Sequence, residues 1–361
     1  MTLSASVSRR LSPGFTLAVA FSAPPGITIV FGASGSGKTT LLRCLSGLVR
    51  PDGGRISIGE RVLFESDPPT NVPVQHRSIG YVFQELALFP HLSIGDNLEY
   101  GLAHLAADTR RERTRAMADA FRISHVLMRK PGEISGGERQ RAALARSLVT
   151  DPSLLLLDEP LAALDHATQS RIIEDLRAWN GEHRIPILYV THSHREVFAL
   201  GARVIVLDHG RLVAEGTPYE VLEAPAYEPL AEIAGFENIF DAIVLERRPE
   251  AGTMHCRLGA AIAEIEAPLS KAEAGTRVRL AIRAGDILLA TEEPRGLSAR
   301  NVLRGRLDSL RREGSTVIAG VHAGAHFIVH LTPTAIDALG LAAGRDVWLI
   351  IKTHSCRIVS S

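Results

Sequence analysis

The sequence predicts an α/β domain built on a mainly parallel sheet, followed by a smaller domain of short β strands. Three observations carry that expectation. The β-branched apolar run Ile27–Phe31 feeds a glycine-rich turn and then the apolar-periodic stretch Leu41–Leu45, the order of a buried strand, a loop and a helix. Strands and helices keep alternating to about residue 215, which favours parallel pairing with helices on both faces. After about Gly235 the helical periodicity fades and short alternating strands take over.

The turn after the first run reads Gly32-Ala33-Ser34-Gly35-Ser36-Gly37-Lys38-Thr39-Thr40 and fits G-x-x-x-x-G-K-[ST], a phosphate-binding loop. Its glycines let successive N–H groups face one point, and the following helix adds its positive N-terminal end. Lys38 is placed to reach the β- and γ-phosphates of a nucleotide, and Thr39 to hold Mg²⁺.

Upstream, Phe15, Leu17, Val19 and Phe21 alternate and read as an edge strand. For that reason Ser8-Arg9-Arg10 is not read as an export signal. A short strand, Arg55–Ile58, follows the turn Pro51–Gly54. Ile79–Phe83 is a buried strand that ends on polar Gln84. Residues 97 to about 127 read as helix with a solvated arginine-rich face. Ile134-Ser135-Gly136-Gly137-Glu138 opens a helix to about Thr150. Leu154–Leu157 is a buried strand capped by Asp158-Glu159, with Asp158 in the place of a Mg²⁺ ligand and Glu159 in that of a base that polarises water. A helix over about 167–180, the strand Ile187–Val190 into Thr191-His192, a helix over 195–201 and a hairpin about Asp208-His209-Gly210 complete the domain.

The last third contains an internal repeat. Gly275–Arg283 parallels Gly344–Lys352, and Asn238-Ile239-Phe240 parallels Asn301-Val302-Leu303, so two similar small barrels in tandem are expected.

Composition narrows the partners. The chain has 361 residues, 45% of them apolar, with 40 basic against 40 acidic side chains. A balanced charge gives no basic face for nucleic acid. Cys44, Cys256 and Cys356 are too far apart in sequence to frame a metal site or disulfide set, which points to a reducing compartment. No apolar run approaches the ~18 residues of a membrane span. His322, His326 and His330 share a spacing of four but bracket a hairpin turn and read as surface residues.

These motifs, in this order over about residues 15–215, resemble the ATPase subunits of ABC transporters. The resemblance covers Gln84 as the Q-loop, Ser135-Gly136-Gly137-Glu138 as the signature, Leu161-Ala162-Ala163-Leu164-Asp165 as the D-loop and His192 as the switch histidine. It implies a P-loop NTPase domain with antiparallel β and helical subdomains. It also implies a head-to-tail homodimer that holds two ATP between the loop of one copy and the signature of the other. Glu159, His192, Gln84 and Lys38 would be the catalytic set, Thr39, Gln84 and Asp158 would hold Mg²⁺, and Asp165 would work across the interface. The signature departs from its usual glutamine at Glu138. Phe15 is the candidate for stacking on adenine.

The segment Glu85–Leu98 resembles that of bacterial importer ATPases, where a membrane permease docks. That implies two separate permease subunits and peripheral attachment to the cytoplasmic face of the inner membrane. Residues 297–359, with Ser298-Ala299-Arg300-Asn301, Leu331-Thr332-Pro333 and Leu349–Thr353, resemble a molybdate-binding (Mop) domain, as does the spacing over 62–84. The implied cargo is molybdate, delivered by a periplasmic binding protein. Ser298, Arg300, Thr332 and Lys352 are the implied oxyanion ligands. Tungstate, sulfate, ferric iron or a polyamine are the alternative cargoes, and a soluble oxyanion-storage or regulatory protein is the alternative class. The expected boundaries are 1–235 for the ATP-binding domain (helical subdomain about 90–150), 236–296 for a first barrel of OB/Mop type and 297–361 for the Mop-like domain.

Overall fold

The computed structural model describes residues 1–162, 164–223, 228–259 and 263–359. Ala163 of the expected D-loop therefore lies outside the described residues. The chain forms two compact units, 1–218 and 219–361.

The first unit opens with β1 (Leu3–Ser12), β2 (Phe15–Ala23) and β3 (Gly26–Phe31), then α1 (Lys38–Ser46). The strands β4 (Gly53–Ile58), β5 (Arg61–Glu65), β6 (Thr70–Asn71) and β7 (Ile79–Val82) follow. Helices α2 (Ile94–Glu99), α3 (Ala107–Ala120) and α4 (Gly136–Leu148) come next. The unit closes with β8 (Leu154–Asp158), α5 (His166–His183), β9 (Pro186–Val190), α6 (His194–Leu200), β10 (Arg203–Asp208) and β11 (Arg211–Gly216).

One eleven-stranded sheet runs in the order β6-β5-β4-β1-β2-β11-β10-β3-β9-β8-β7. The stretch β10-β3-β9-β8-β7 is parallel, as the alternation of elements predicts. The stretch from β6 to β2 is antiparallel, so the whole sheet is mixed. Two expectations change. The Phe15–Phe21 strand is internal, because Leu3–Ser12 forms a further strand paired along its outer edge and β11 lies on its other side. The helix expected over 97–127 is broken by the tight turn Tyr100–Leu102 and divides into α2 and α3. Ser93 caps α2 in a reciprocal box with Asp96.

Leu154 to Leu157 are all fully buried, as a central parallel strand with helices on both faces requires. That strand therefore holds its last residue, Asp158, firmly at the C-terminal end of the parallel strands. Helix α1 is held at its other end by Arg77, which is completely buried. Its guanidinium donates to the carbonyls of Leu45 (2.8 Å), Cys44 (3.3 Å) and Val72 (2.9 Å) and to Asn71 Oδ1 (2.8 Å). A cation on the last carbonyls of a helix satisfies groups the helix cannot and opposes its negative end.

The second unit opens with a single π-helical turn (Tyr219–Glu223) and includes α7 (Glu228–Ile233), β12 (Asn238–Arg248), β13 (Thr253–Leu258), β14 (Glu264–Pro268), β15 (Arg277–Ile282) and β16 (Ile287–Ala290). The second repeat supplies β17 (Asn301–Glu313), β18 (Thr316–His322), β19 (His326–Leu331), α8 (Pro333–Leu339), β20 (Asp346–Ile351) and β21 (Cys356–Val359). Two five-stranded sheets form, β14-β13-β12-β15-β21 and β16-β20-β17-β18-β19.

The repeats exchange their last strands: β21 pairs with β15, and β16 with β20. The two repeats have matching apolar patterns, so sequence cannot say which sheet each last strand joins. They also share one core, in which Ile265, Leu280 and Ile282 pack with Phe327, Val347 and Leu349.

Two buried asparagines at equivalent places stitch the sheets together. Asn238 Nδ2 donates to the Ile328 carbonyl (2.8 Å), and its Oδ1 accepts the Ile328 N–H (2.7 Å). Asn301 does the same to Glu266, at 2.9 and 2.7 Å. Asn301→Ala leaves a donor and an acceptor of β14 without partners, at an expected cost of about 2 kcal/mol. Asn238→Ala is expected to cost the same within about 0.5 kcal/mol, by the pseudo-symmetry. Denaturant melting of the two variants measures both, and a negligible cost for either contradicts the stitching role.

Candidate nucleotide site

The phosphate loop lies at the C-terminal end of β3, between that strand and α1. Gly32 has φ 150°, and a Cβ there would meet the Leu207 carbonyl oxygen at 2.2 Å. Only glycine lets the loop pass so close to β10. A cleft of about 470 Å³ opens over the loop. Leu11, Ser12, Phe15, Ser34, Gly35, Gly37, Lys38, Thr39, Thr40, Gln84 and Glu159 line it.

Lys38 is buried, and its ammonium donates to the carbonyls of Gly32 and Ala33, both at 2.8 Å. Burial lowers its pKa, and the nearby Glu159 and Asp158 carboxylates oppose that shift. The two bonds hold the cation against the loop, at the floor of the cleft.

Asp158 and Glu159 are neighbours with different environments. Asp158 is buried, and its Oδ1 accepts the Thr39 hydroxyl at 3.1 Å. The Tyr81 hydroxyl lies 3.4 Å from the other oxygen. Burial raises the Asp158 pKa, while the bonds from Thr39 and Tyr81 pull it back. Glu159 has φ 47°, a left-handed turn that reverses the chain just past the strand. That conformation costs on the order of 1–2 kcal/mol in a non-glycine residue. It is held by the Glu159 N–H on the Val190 carbonyl, at 3.1 Å. The turn sends Glu159 into the cleft while Asp158 stays against Thr39. His192 Nδ1 lies 3.2 Å from Glu159 Oε1.

The donor set suits Mg²⁺. A hydroxyl, a carboxylate and an amide oxygen are hard ligands, and Mg²⁺ takes few protein ligands when it also binds phosphates. Among the described residues no cluster of three His, Cys, Asp or Glu offers a closed metal cage. Thr39 and Asp158 would hold the ion, with Gln84 at the cleft wall.

Phe15 reaches the loop, with its ring tip 3.5 Å from where a Gly37 Cβ would stand. The sequence does not single out Leu11, Ser12 or Tyr81. Leu11 and Ser12 sit at the β1–β2 turn, where no sequence pattern marks a site.

Ser135, Gly136, Gly137, Glu138 and Asp165 lie outside this cleft. Ser135 caps α4, and a Cβ on Gly137 would press the Thr168 methyl at 2.7 Å. Asp165 caps α5, accepting the N–H groups of Ala167 and Thr168 (both 3.0 Å) and the Thr168 hydroxyl (2.7 Å). The signature and the D-loop therefore pack on each other within one chain, apart from the phosphate loop. Ser36, within the loop, is buried.

In the second unit, Ser298, Arg300, Thr332 and Lys352 all have solvent-accessible side chains. Asn301 pairs with Ile351, so Arg300 and Lys352 flank the same end of the β17–β20 ladder, with Ser298 two residues away. Thr332, the N-cap of α8, follows Leu331, which pairs with Val317, which pairs with Arg312. That register puts Thr332 toward the far end of β17, so the four side chains do not form one cluster along this sheet.

The ABC transporter family pattern matches residues 18–162, and the TOBE domain pattern matches residues 297–358. The molybdenum import ATP-binding protein ModC of Mesorhizobium japonicum is 39% identical over 357 residues, covering 98% of this chain and 96% of that protein. Its namesake in Rhizobium meliloti is 40% identical over 352 residues, covering 96% and 98%. Among solved structures, CbiO1 of Clostridium perfringens, part of the ABC transporter complex CbiONQ, matches with TM-score 0.55 at 27% identity, covering 62% of this chain and 90% of that one. The dimeric bacterial ABC transporter cassette MJ0796 matches with TM-score 0.53 at 27% identity, covering 60% of this chain and 99% of that one. The chain belongs to the ABC transporter ATPases, in the group with a C-terminal TOBE domain that includes the molybdenum import ATP-binding proteins.

Proposed function

We propose that this chain is the ATP-hydrolysing subunit of a molybdate importer. It works as a homodimer on two separate permease subunits, at the cytoplasmic face of the inner membrane, with a periplasmic binding protein delivering the cargo. The observation that carries the catalytic half is the divergence of Asp158 and Glu159 at the end of β8. The cargo rests on the near-full-length similarity to molybdenum import proteins.

The residues divide the work. Loop N–H groups and the N-terminus of α1 receive the β- and γ-phosphates, and the Lys38 ammonium turns from its two loop carbonyls toward them. Mg²⁺ held at Thr39 and Asp158 would neutralise phosphate charge. Glu159 takes a proton from the attacking water, and His192 holds the Glu159 carboxylate in line from 3.2 Å. Gln84 joins this cleft to the segment that faces the permease, so loading of the site is felt there. Buried Asn97 ties that segment by accepting the Phe89 N–H (2.8 Å) and donating to the Ser93 carbonyl (2.9 Å). Nearby Tyr100 and Met128 are exposed apolar surface. Ser135 to Glu138 complete the site on a second copy's nucleotide, because each cleft has the phosphate loop and lacks a signature.

The domain boundaries follow the same reading: 1–235 carries ATP, and the repeats 236–296 and 297–361 carry assembly and oxyanion sensing. Arg300 and Lys352 form the oxyanion-binding pair, with Ser298 beside them. The first repeat has Glu237 where the second has Arg300, and Glu237 accepts the Ala284 N–H at 2.8 Å. A carboxylate in that place excludes an anion, so one oxyanion per chain is expected.

Proteoliposomes with the permease, this chain inside and the periplasmic binding protein outside test the reading. Labelled molybdate should enter only with internal ATP, tungstate should compete, and a tenfold excess of sulfate should not. Uptake of sulfate, iron or a polyamine in preference to molybdate overturns the cargo.

A further inference from the structure

The signature contains its own anion. The Ser135 N–H donates to Glu138 Oε2 at 2.8 Å, and the Ser135 hydroxyl donates to the same oxygen at 2.6 Å. The Glu138 N–H returns a 3.3 Å bond to Ser135 Oγ. Both donors that Ser135 would offer a phosphate are thus already satisfied by a carboxylate. These bonds, with a smaller part from His125, hold the Glu138 pKa down to about 2, so the side chain is ionised at any working pH. A fixed negative charge beside an anion site opposes the nucleotide that the site is meant to receive.

The remaining carboxylate oxygen, Oε1, has one partner among the described residues. His125 Nε2 lies 2.9 Å from it, brought there by the short turn Ser124–Val126 that follows α3. Nothing in the ATP-binding motifs of the chain accounts for this histidine, which stands thirteen residues before Glu138 in sequence.

We infer that His125 is a positioning residue of the signature: its Nε2–H, bonded to Oε1, draws charge from the Glu138 carboxylate and loosens its hold on Ser135, so that the phosphate of a partner copy can displace Oε2 there. The inference rests on the two-copy site proposed above. The imidazole is largely exposed, with 63% of its side-chain surface accessible, so as a surface pair it contributes little to folding. Its effect falls on nucleotide affinity in the assembled dimer, where water is excluded and charges act more strongly.

ATPase kinetics of the full chain test this with four proteins: wild type, His125→Ala, Glu138→Gln and the double variant. His125→Ala is expected to raise KM for ATP roughly tenfold, with kcat within about twofold and an unchanged melting temperature. Glu138→Gln keeps an acceptor for Ser135 without the charge, so it should lower KM. The double variant should behave as Glu138→Gln alone, and His125→Lys should rescue the single variant. A His125→Ala protein with unchanged KM overturns the role of His125. So does a His125→Ala effect of the same size whether Glu138 is present or replaced by glutamine. Ser135→Arg separates the two levels. If it abolishes hydrolysis while His125→Ala is silent, only the present inference fails. If it leaves hydrolysis intact, the two-copy site fails with it.

Discussion

Glu159→Gln is expected to lower kcat for ATP hydrolysis about a thousandfold, within the roughly 10²–10⁴ range of a general base, and to leave ATP binding intact. The amide keeps the size and the left-handed turn of Glu159 but cannot take a proton. Binding is spared because Lys38, the loop N–H groups and Thr39 are untouched. Asp158→Asn should behave differently. Asp158 is held against Thr39 at 3.1 Å, so its loss should weaken the Mg²⁺ dependence of binding. Steady-state hydrolysis paired with nucleotide binding measures both. A Glu159→Gln protein that retains a tenth of wild-type turnover contradicts the assignment of Glu159 as base.

Arg77→Ala is expected to destabilise the first unit by about 3 kcal/mol or more, because several buried acceptors lose their donors at once. For a unit of this size that corresponds to a fall in Tm of about 6–12 °C. Arg77→Lys should recover less than half of it. One ammonium cannot reach the Leu45, Cys44 and Val72 carbonyls and Asn71 together, whereas the planar fork does. The effect should extend to ATP, since α1 presents Lys38 and Thr39 at one end and is anchored by Arg77 at the other. Calorimetry and ATP titration of the two variants check this. A cost below about 1 kcal/mol would show that water replaces the guanidinium without penalty.

The parts of the site legible in the sequence are those fixed by local chain geometry. Gly32 to Thr39 reads as a phosphate loop because strand, turn and helix are contiguous there. Asp158 and Glu159 read as site residues because four leucines predict where the strand ends. What the sequence does not show depends on partners far along the chain. Phe15 to Phe21 alternates whether it is an edge or an internal strand, and only the pairing of Leu3–Ser12 decides. Strands β16 and β21 change places because each fits either sheet. Tyr81 reaches Asp158, and His125 reaches Glu138, across separations that no local pattern records. Thr332 reads as a companion of Arg300 by family position, and the antiparallel register separates them along the sheet.

On the proposed reading, one chain holds half of each ATP site and Ser135 to Glu138 of a second copy supplies the rest. Sedimentation of the Glu159→Gln protein with and without ATP tests it most directly, since blocked hydrolysis should preserve the closed state. A dimer is expected with ATP, a monomer without it, and a monomer in both conditions when Ser135→Arg is added, with ATP binding to the isolated chain retained. A Glu159→Gln protein that stays monomeric with ATP bound, or a Ser135→Arg version that dimerises equally well, rules out the two-copy site.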